Sequence, residues 1–500
     1  MGDNKKGAVY IIRTATEIMK QWAIHPFLFA IYPIVYLYLH NLDIIVDLTD
    51  VLAPLIISIA ISAILLLALS FFINKQKAGL ITTTALIQFY SFGHIYSSIG
   101  NYVHVFEIGF NKGMLLLFFY AITFILILII IVRAKKTVMA NTFLNLTSII
   151  LIIMLLSNFA IAISNIKTQQ LPPTNIHKSD FSGIKPDIYY IILDEHARFD
   201  VLTQEYGYKS TEFIDYLNNK GFYVANSTSN YAITSLSLAS SLNMDYLDNT
   251  NVFTTIEQAR NNEVAALLKE YDYTFFHFRS PWRPTNQNRY ADKEIDCIRV
   301  TRFMMLVTQT TMIIPFEDHF HLLEGDKRRY LKCVFSSLID LADQDQPKFV
   351  FAHIMAPHEP YVYGQDGEYV FSRDEDDEGY VNQLIYTDKE IMKVIDKLLD
   401  TDQKPIIIIQ SDHGPATFES MIRDPTDDLV RNRMKILNAY YLPGNITGEL
   451  YETITPVNTF RIVFNNYFGA EYEMIEDKNY FSRYDQPFNF SDVTDKLKDI

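Results

Sequence analysis

The sequence has no excess of positive charge. Its 43 lysine and arginine residues are outnumbered by 58 aspartate and glutamate residues, which gives a formal net charge of −15. Proteins that bind DNA or RNA use basic surfaces to neutralise phosphate. The charge balance therefore argues against nucleic acid as a partner.

Cysteine is almost absent from the chain. The two cysteines are Cys297 and Cys333, and both follow the apolar region described below. An oxidising compartment would allow them to form one disulfide. The sequence gives no distance between them, so a disulfide and two buried thiols remain equal alternatives.

The chain contains many long apolar runs, and nearly all of them lie before residue 165. Five stretches are close to the ~20 residues that cross a bilayer as a helix. They cover residues 23–41, 51–73, 78–98, 113–132 and 143–164, and the third is the most polar. One such run could be a buried helix of a soluble core, but five in succession predict membrane spans. The start of the chain lacks a short apolar segment with a small-residue cleavage site, so we expect the first span to be a retained anchor.

The loops between these runs predict the orientation. Lysine and arginine occur before the first span, between the second and third, and after the fourth. Short cytoplasmic loops hold the excess of such residues. An odd number of spans then delivers everything after residue 165 to the extracytoplasmic side.

The sequence predicts three regions: a transmembrane helical domain over 1–165, a linker over 166–185 and an exported domain over 186–500. In the exported domain, four apolar runs are continuous rather than alternating, which is typical of strands covered on both faces. These runs are 187–193, 273–278, 348–355 and 405–410, and helical patterns occupy 210–220, 256–271 and 387–399. We therefore predict an α/β domain with a largely parallel central sheet.

Polar residues follow two of these strands directly. The first runs into Asp194 and Glu195, and the last into Asp412 and His413. Ligands gather at the carboxyl ends of the strands in such sheets. Buried carboxylates are costly unless a cation or another partner compensates for their charge. The combination predicts a metal site.

Thr234 stands where a loop turns into a helix of apolar and small residues. Its hydroxyl could simply cap that helix. Beside a divalent cation, however, a hydroxyl loses its proton more easily and becomes a nucleophile, and a helix N-terminus favours an incoming phosphate. Ser235 and Ser237 are rival candidates for the nucleophile.

Two histidines follow or end the strand at 348–355. His353 and His358 could bind phosphoryl oxygens, and His358 could protonate a leaving group. Either could ligate a second metal, or be a hydrogen-bonded core histidine.

The order of these features resembles the sulfatase-type branch of the alkaline phosphatase superfamily, and within it membrane-anchored transferases such as lipoteichoic acid synthase and the phosphoethanolamine transferases. The resemblance is carried by Leu193-Asp194, the Thr234 loop, the His358 turn and the run from Ser411 to Gly414. It implies an alkaline-phosphatase-like fold and one divalent metal ion, zinc or manganese, with a second left open.

The same resemblance assigns the residues of the site. It implies Thr234 as nucleophile, with Asp194, Thr234, Asp412 and His413 as metal ligands and His358 and His353 at the substrate. Related transferases use a glutamate as the acidic ligand, so Glu195 remains an alternative to Asp194. No Cys/Ser-x-Pro-x-Arg motif surrounds Thr234, which disfavours sulfate-ester hydrolysis.

The resemblance implies an enzyme of the bacterial cytoplasmic (inner) membrane, multi-pass, with its catalytic domain extracytoplasmic or periplasmic. We expect it to move a phosphoethanolamine or phosphoglycerol group from a membrane phospholipid donor to a cell-envelope glycan or lipid acceptor through a threonine intermediate. The alternatives are a phosphodiesterase or phosphatase with the same residues, and a non-catalytic scaffold for envelope assembly.

Overall fold

The fold is described from a computed structural model of the chain. The described residues are 20–41, 48–99, 112–166, 185–248, 251–316, 324–344, 347–372, 376–444 and 449–498. The chain divides into two compact units, unit 1 with Met1–Gln170 and Val300–Leu323, and unit 2 with Leu171–Arg299 and Glu324–Ile500.

Unit 1 is helical. Its first five described helices are α1 His25–His40, α2 Leu48–Ser70, α3 Lys75–Ile99, α4 Lys112–Arg133 and α5 Val138–Ile166. Each coincides with one predicted span. Among the described residues, three helical segments have the length and composition to cross a membrane, Thr49–Ser70, Gly113–Arg133 and Val138–Asn158. With 16 residues, α1 is about 24 Å long, which is shorter than a ~30 Å hydrocarbon core. The number of spans therefore stays a prediction.

One further helix of unit 1 comes from much later in the chain. Helix α11, Arg302–Thr310, begins after Thr301, whose side chain accepts a hydrogen bond from the main-chain nitrogen of Met304. Phe303 on this helix is buried against Ile34, Tyr38 and Val51. The amino-acid composition of α11 did not predict that this helix belongs to unit 1. The predicted regions 1–165, 166–185 and 186–500 stay a prediction, and residues 167–184 of the linker lie outside the described residues.

Unit 2 is built around a largely parallel central sheet, as the sequence predicted, and the sheet has seven strands. The strands are β1 Ile188–Leu193, β2 Tyr223–Val224, β3 Thr274–Phe278, β4 Lys293–Ile295, β5 Lys348–Ile354, β8 Ile406–Gln410 and β9 Asn438–Tyr441. Their order is β2-β9-β8-β1-β5-β3-β4. The pairs β8–β1, β1–β5, β5–β3 and β3–β4 are parallel, and β9 pairs antiparallel on both sides. All four predicted strands are present, and each boundary agrees within one residue.

Helices cover both faces of this sheet. The helices of the described part of unit 2 are α6 Phe199–Glu205, α7 Glu212–Asn219, α8 Thr234–Asn243, α9 Val252–Arg260, α10 Glu263–Glu270, α12 Glu324–Asp340, α13 Asp377–Leu399, α14 Phe418–Met421, α15 Asp427–Met434, α16 Pro456–Phe468 and α17 Thr494–Leu497. Those packed on one face of the sheet include α7, α12 and α13, and those on the other include α8, α10 and α16. Alternate residues of β1 enter different hydrophobic clusters, Tyr189 on one face and Tyr190 on the other. Burial on both faces explains why the strand runs are continuously apolar.

Two predicted helices need correction. The pattern over 256–271 is two helices, because the side chain of Asn262 accepts a hydrogen bond from the Ala265 nitrogen and starts a new helix at Glu263. The helix predicted over 387–399 begins earlier, at Asp377, where acidic residues favour a helix N-terminus.

Small two-stranded sheets complete unit 2. They pair β6 Tyr361–Tyr363 with β7 Tyr369–Ser372, and β10 Tyr480–Arg483 with β11 Gln486–Asp492. Cys297 and Cys333 form a disulfide, which decides between the two alternatives left open by the sequence.

Candidate active and metal-binding site

The carboxyl ends of three neighbouring strands carry the predicted site residues. Strands β8, β1 and β5 lie side by side and lead to Asp412, Asp194 and His353. Parallel strands end at the same edge of a sheet, so these side chains come together although they are far apart in sequence. The order of the strands in the sheet brings these side chains together, and their spacing along the chain could not have predicted it.

The three side chains form a buried group with unsatisfied polar atoms. One ligand atom from each of Asp194, His353 and Asp412 lies within 4.8 Å of the others. Asp194 Oδ1, His353 Nε2 and Asp412 Oδ2 are buried and have no hydrogen-bond partner. Buried polar atoms without partners are costly. Two carboxylates and an imidazole are suitable ligands for a divalent cation, so these residues fit the predicted metal.

The electrostatics of the two aspartates lead to the same conclusion. Burial, and then the charge of Asp194, raise the pKa of Asp412 to about 7. Burial acts in the same direction on Asp194, but the charge of His358, the largest opposing effect, lowers the pKa of Asp194 below its usual range. Two carboxylates this close do not both ionise easily at neutral pH. A bound cation would stabilise both in their charged form.

Glu195, the alternative acidic ligand, is engaged elsewhere. Its backbone has a φ of +68°, a conformation that is unusual for a residue other than glycine. Its Oε1 accepts a hydrogen bond from Arg433 Nη1 at 2.9 Å. The carboxylate with an unpartnered buried oxygen is that of Asp194, so the geometry favours Asp194.

Thr234 is the first residue of α8. The preceding residue, Ile233, provides no side-chain cap, so the first turn of the helix keeps main-chain N–H groups that suit an anion. Thr234 Oγ1 lies 2.9 Å from His413 Nε2. Its rival Ser237 donates to the main-chain oxygen of Asp412 instead.

His413 lies between Thr234 and a buried arginine. Its Nδ1 donates to the main-chain oxygen of Gly414 at 3.2 Å, so Nε2 carries the lone pair. Arg433 Nη2 donates to that nitrogen at 2.9 Å. Burial, followed by the charge of Arg433, lowers the pKa of His413 well below the usual histidine value. His413 is therefore neutral and accepts hydrogen bonds from both neighbours.

His358 presents a different imidazole to the site. Its Nδ1 donates to the main-chain oxygen of Glu359 at 2.7 Å, and its side chain remains 29% exposed. Burial alone would lower the pKa of His358, but the charges of Glu195 and Asp194 outweigh burial and raise it. This imidazole can hold a proton and give it to a leaving oxygen.

The turn that carries His358 is held by two side chains. Gln383 Nε2 donates to the main-chain oxygens of Pro357 and His358. Lys327 Nζ donates to the main-chain oxygens of His358 and Pro360. Burial lowers the pKa of Lys327 to about 7, although the charges of Asp194, Glu359 and Glu195 act in the opposite direction.

The lowered pKa of Lys327 predicts a pH dependence of stability. The unfolded chain, with a lysine pKa of about 10.4, binds the proton above pH 7 while the folded protein releases it. Stability contributed by this group therefore rises between about pH 7 and pH 10. We expect Lys327→Met to lose that rise when the unfolding temperature of the full-length protein is measured against pH.

Lys332 provides a matched control on the same helix. Its pKa is raised by its hydrogen bond to Tyr369, so Lys332→Met should keep the wild-type slope over this pH range. An unchanged slope in Lys327→Met would contradict the assignment.

Sequence reasoning missed three residues of the site. Arg433 is one of several arginines before β9, and Lys327 is one of several basic residues on α12; only the fold brings them to the strand ends. Thr285, whose Oγ1 lies 2.8 Å from His353 Nδ1, follows β3 in a short 3-10 turn at Arg283–Thr285. No pattern in the sequence distinguishes these residues from their neighbours.

The buried carboxylate–imidazole group at the strand ends of this α/β sheet is compatible with a metal site. The sulfatase family profile matches residues 186–466, more than half of the 500-residue chain. The protein belongs to the sulfatase family, and the family predicted from the sequence is confirmed. No curated protein has a significant sequence match to the chain.

Solved structures similar to this chain include the C-terminal periplasmic domain of EcEptC from Escherichia coli in complex with zinc. It has 15% identity and a TM-score of 0.46, and the match covers 64% of this chain and 96% of that one. The integral membrane protein lipooligosaccharide phosphoethanolamine transferase A (EptA) from Neisseria meningitidis has 10% identity and a TM-score of 0.40, with coverages of 88% and 94%. The lipoteichoic acid synthase LtaP from Listeria monocytogenes has 14% identity and a TM-score of 0.40, with coverages of 61% and 79%.

Proposed function

We propose that this protein is a phosphotransferase of the bacterial cytoplasmic membrane that forms a covalent intermediate on Thr234. The donor is a membrane phospholipid, the transferred group is phosphoethanolamine or phosphoglycerol, and the acceptor is a cell-envelope glycan or lipid. The observation that carries the proposal is the position of the Thr234 hydroxyl, at an uncapped helix N-terminus and hydrogen-bonded to His413.

Asp194 and Asp412 would hold the metal through their carboxylate oxygens, and the family resemblance adds Thr234 and His413. When bound, a divalent ion lowers the pKa of a neighbouring hydroxyl and offsets the negative charge of phosphoryl oxygens. The buried setting strengthens both effects, since water does not screen them.

The residues of the chain perform the transfer in two displacements. The Thr234 hydroxyl gives its proton to solvent and its oxygen attacks the phosphorus of the donor, the bond from phosphorus to the diacylglycerol oxygen breaks, and His358 protonates that leaving oxygen. In the second displacement an acceptor hydroxyl gives its proton to His358 and attacks the phosphothreonine, the bond from phosphorus to the Thr234 oxygen breaks, and that oxygen regains a proton. The N–H groups at the start of α8 orient the phosphoryl oxygens in both.

The apolar helices favour a lipid donor. Three helical segments of the same chain have the length and composition of membrane spans, and such an anchor keeps an enzyme among phospholipids. A catalytic domain that acted on a soluble ester would gain nothing from this attachment.

The experiment is a donor assay on the full-length protein in detergent micelles. Labelled phosphatidylethanolamine and phosphatidylglycerol are supplied together, with and without a chelator. We expect release of one head group, loss of that release on chelation, and recovery when zinc or manganese is returned. Release to water alone, whatever acceptor is offered, would favour a phosphodiesterase, and no release from either lipid would contradict the proposed donor.

A further inference from the structure

An exposed aromatic side chain lies shortly after His413 in the chain. Phe418 is the first residue of α14 and is 68% exposed. Its ring centroid lies 5.8 Å from that of Tyr484, with 31° between the two ring planes. Single apolar residues are common on protein surfaces, but these two rings together form one aromatic surface.

Tyr484 connects this aromatic surface to the nucleophile. Its hydroxyl accepts a hydrogen bond from Arg433 Nη2 at 2.8 Å, and that nitrogen also lies 2.9 Å from His413 Nε2. His413 Nε2 is in turn 2.9 Å from Thr234 Oγ1. Two side chains therefore separate the Tyr484 hydroxyl from the Thr234 hydroxyl, and Phe418 continues this line to the protein surface.

Tertiary contacts fix the position of the two rings. Tyr484 and Asp485 form the turn between β10 and β11, and the Tyr484 nitrogen donates to the main-chain oxygen of Met421 at 3.0 Å. Met421 ends α14 and is buried in a cluster with Ala232, which lies two residues before Thr234. A surface that is already ordered loses little conformational entropy when a ligand binds.

Charged side chains lie on both sides of the aromatic pair, in the α14 segment and in the Tyr484 turn. Arg423 donates to Glu419 at 3.0 Å. Arg483 donates to Asp424 and to Asp485, each at 2.9 Å. Both arginines are therefore paired, and carboxylates outnumber guanidinium groups around the rings.

These charged groups disfavour a lipid and suit a sugar. An acyl chain would have to lie among ion pairs, and a phosphate head group would meet an excess of negative charge. Sugar hydroxyl groups, by contrast, donate to carboxylates and accept from guanidinium groups. The apolar face of a pyranose ring packs on an aromatic ring, which offers a large apolar surface of fixed orientation. The ligand that matches both the rings and their charged surroundings is a neutral glycan.

We propose that Phe418 and Tyr484 form the subsite that holds a sugar ring of the acceptor, and that this subsite favours transfer to a glycan hydroxyl over transfer to water. The proposal rests on the proposed function and narrows its acceptor. In the second displacement the bound sugar hydroxyl gives its proton to His358 and attacks the phosphothreonine, the bond from phosphorus to the Thr234 oxygen breaks, and that oxygen regains a proton from solvent. Water can make the same attack, but it gains no binding energy from the aromatic pair, so the sugar hydroxyl has the higher effective concentration.

The test compares two acceptor probes, using the full-length protein in polyoxyethylene detergent micelles. Labelled phosphatidylethanolamine and phosphatidylglycerol serve as donors, and methyl maltoside competes with glycerol, which has hydroxyl groups but no ring. The measured quantity is the ratio of head group transferred to the two probes. We expect Phe418→Ala to lower the preference for methyl maltoside by about 10-fold, the scale of one lost aromatic contact, and to increase the share of head group released to water.

Two variants separate stacking on the ring from other effects of the substitution. Phe418→Trp keeps an aromatic ring and should keep the wild-type preference. Tyr369→Ala removes a different aromatic ring, which is 55% exposed and lies in β7, and should also keep that preference. Because the ratio is measured within one reaction, a change in the rate of donor cleavage cancels.

An unchanged preference in Phe418→Ala, or a wild type that uses the two probes equally or uses neither, would overturn the inference while leaving donor cleavage intact. Loss of diacylglycerol release in Phe418→Ala with the preference retained would also overturn it, because the rings would then contact the donor. Wild-type protein that releases no head group from either lipid would overturn the proposed function as well. The failures are therefore distinguishable.

Discussion

Replacing Thr234 by alanine is expected to reduce head-group release by about 10³-fold or more, the scale seen when an enzyme loses its nucleophile. The side chain is 7% exposed and lies 2.9 Å from His413 Nε2, so few other groups could take its place. The measurement is the rate of labelled head-group release by the full-length protein at saturating metal. Thr234→Ser should keep measurable activity because it retains the hydroxyl.

Ser235→Ala is the matched control for this substitution. Ser235 is adjacent in sequence and was a rival nucleophile, but Thr234 is the residue whose hydroxyl bonds to His413. We expect Ser235→Ala to release head groups at close to the wild-type rate. Normal turnover by Thr234→Ala, with loss of turnover in Ser235→Ala, would transfer the assignment to Ser235.

Replacing Arg433 by methionine is expected to destabilise the protein by about 3–5 kcal/mol, because it leaves a buried charge without its partner. Arg433 is 1% exposed and donates to Glu195 Oε1 at 2.9 Å. Nε of the same guanidinium donates to the Ala232 oxygen, and Nη2 to the Tyr484 hydroxyl. The measurement is the unfolding temperature of metal-free full-length protein, which should fall by roughly 10 °C.

Two further variants separate the buried pair from a general effect of losing an arginine. Arg431→Met removes a more exposed arginine from the same helix, whose side chain is 42% accessible, and should change stability by less than about 0.5 kcal/mol. The double variant Glu195→Gln with Arg433→Met removes both charges and should recover part of the loss. An Arg433→Met protein that unfolds at the wild-type temperature would show that the pair contributes little.

The central strands could be predicted from the sequence, because burial on both faces of the sheet requires continuously apolar residues. The runs that became β1, β3, β5 and β8 are continuously apolar because helices cover the sheet on both sides, and their boundaries were predicted within one residue. The grouping of Asp194 with Asp412 was also predictable, because parallel strands deliver their carboxyl ends to one edge.

Other features depend on contacts that no local pattern encodes. The side chain that bonds to the His353 ring is that of Thr285, which lies in the turn after a different strand. The partner of Glu195 is an arginine 238 residues later in the chain. The association of α11 with the apolar helices depends on Phe303 packing against residues from the first two helices. Each of these features is a tertiary contact, so a local stretch of the sequence does not predict it.

The most direct test of the proposed transfer is to identify the covalent intermediate. The full-length protein would be mixed with the preferred phospholipid in the absence of acceptor, quenched in acid and digested, and the peptide containing Thr234 analysed by mass spectrometry. The account predicts that this peptide gains the mass of phosphoethanolamine or phosphoglycerol on Thr234, and loses it when an acceptor is supplied. Rapid head-group release with an unmodified Thr234, or a modification on another residue, would contradict it.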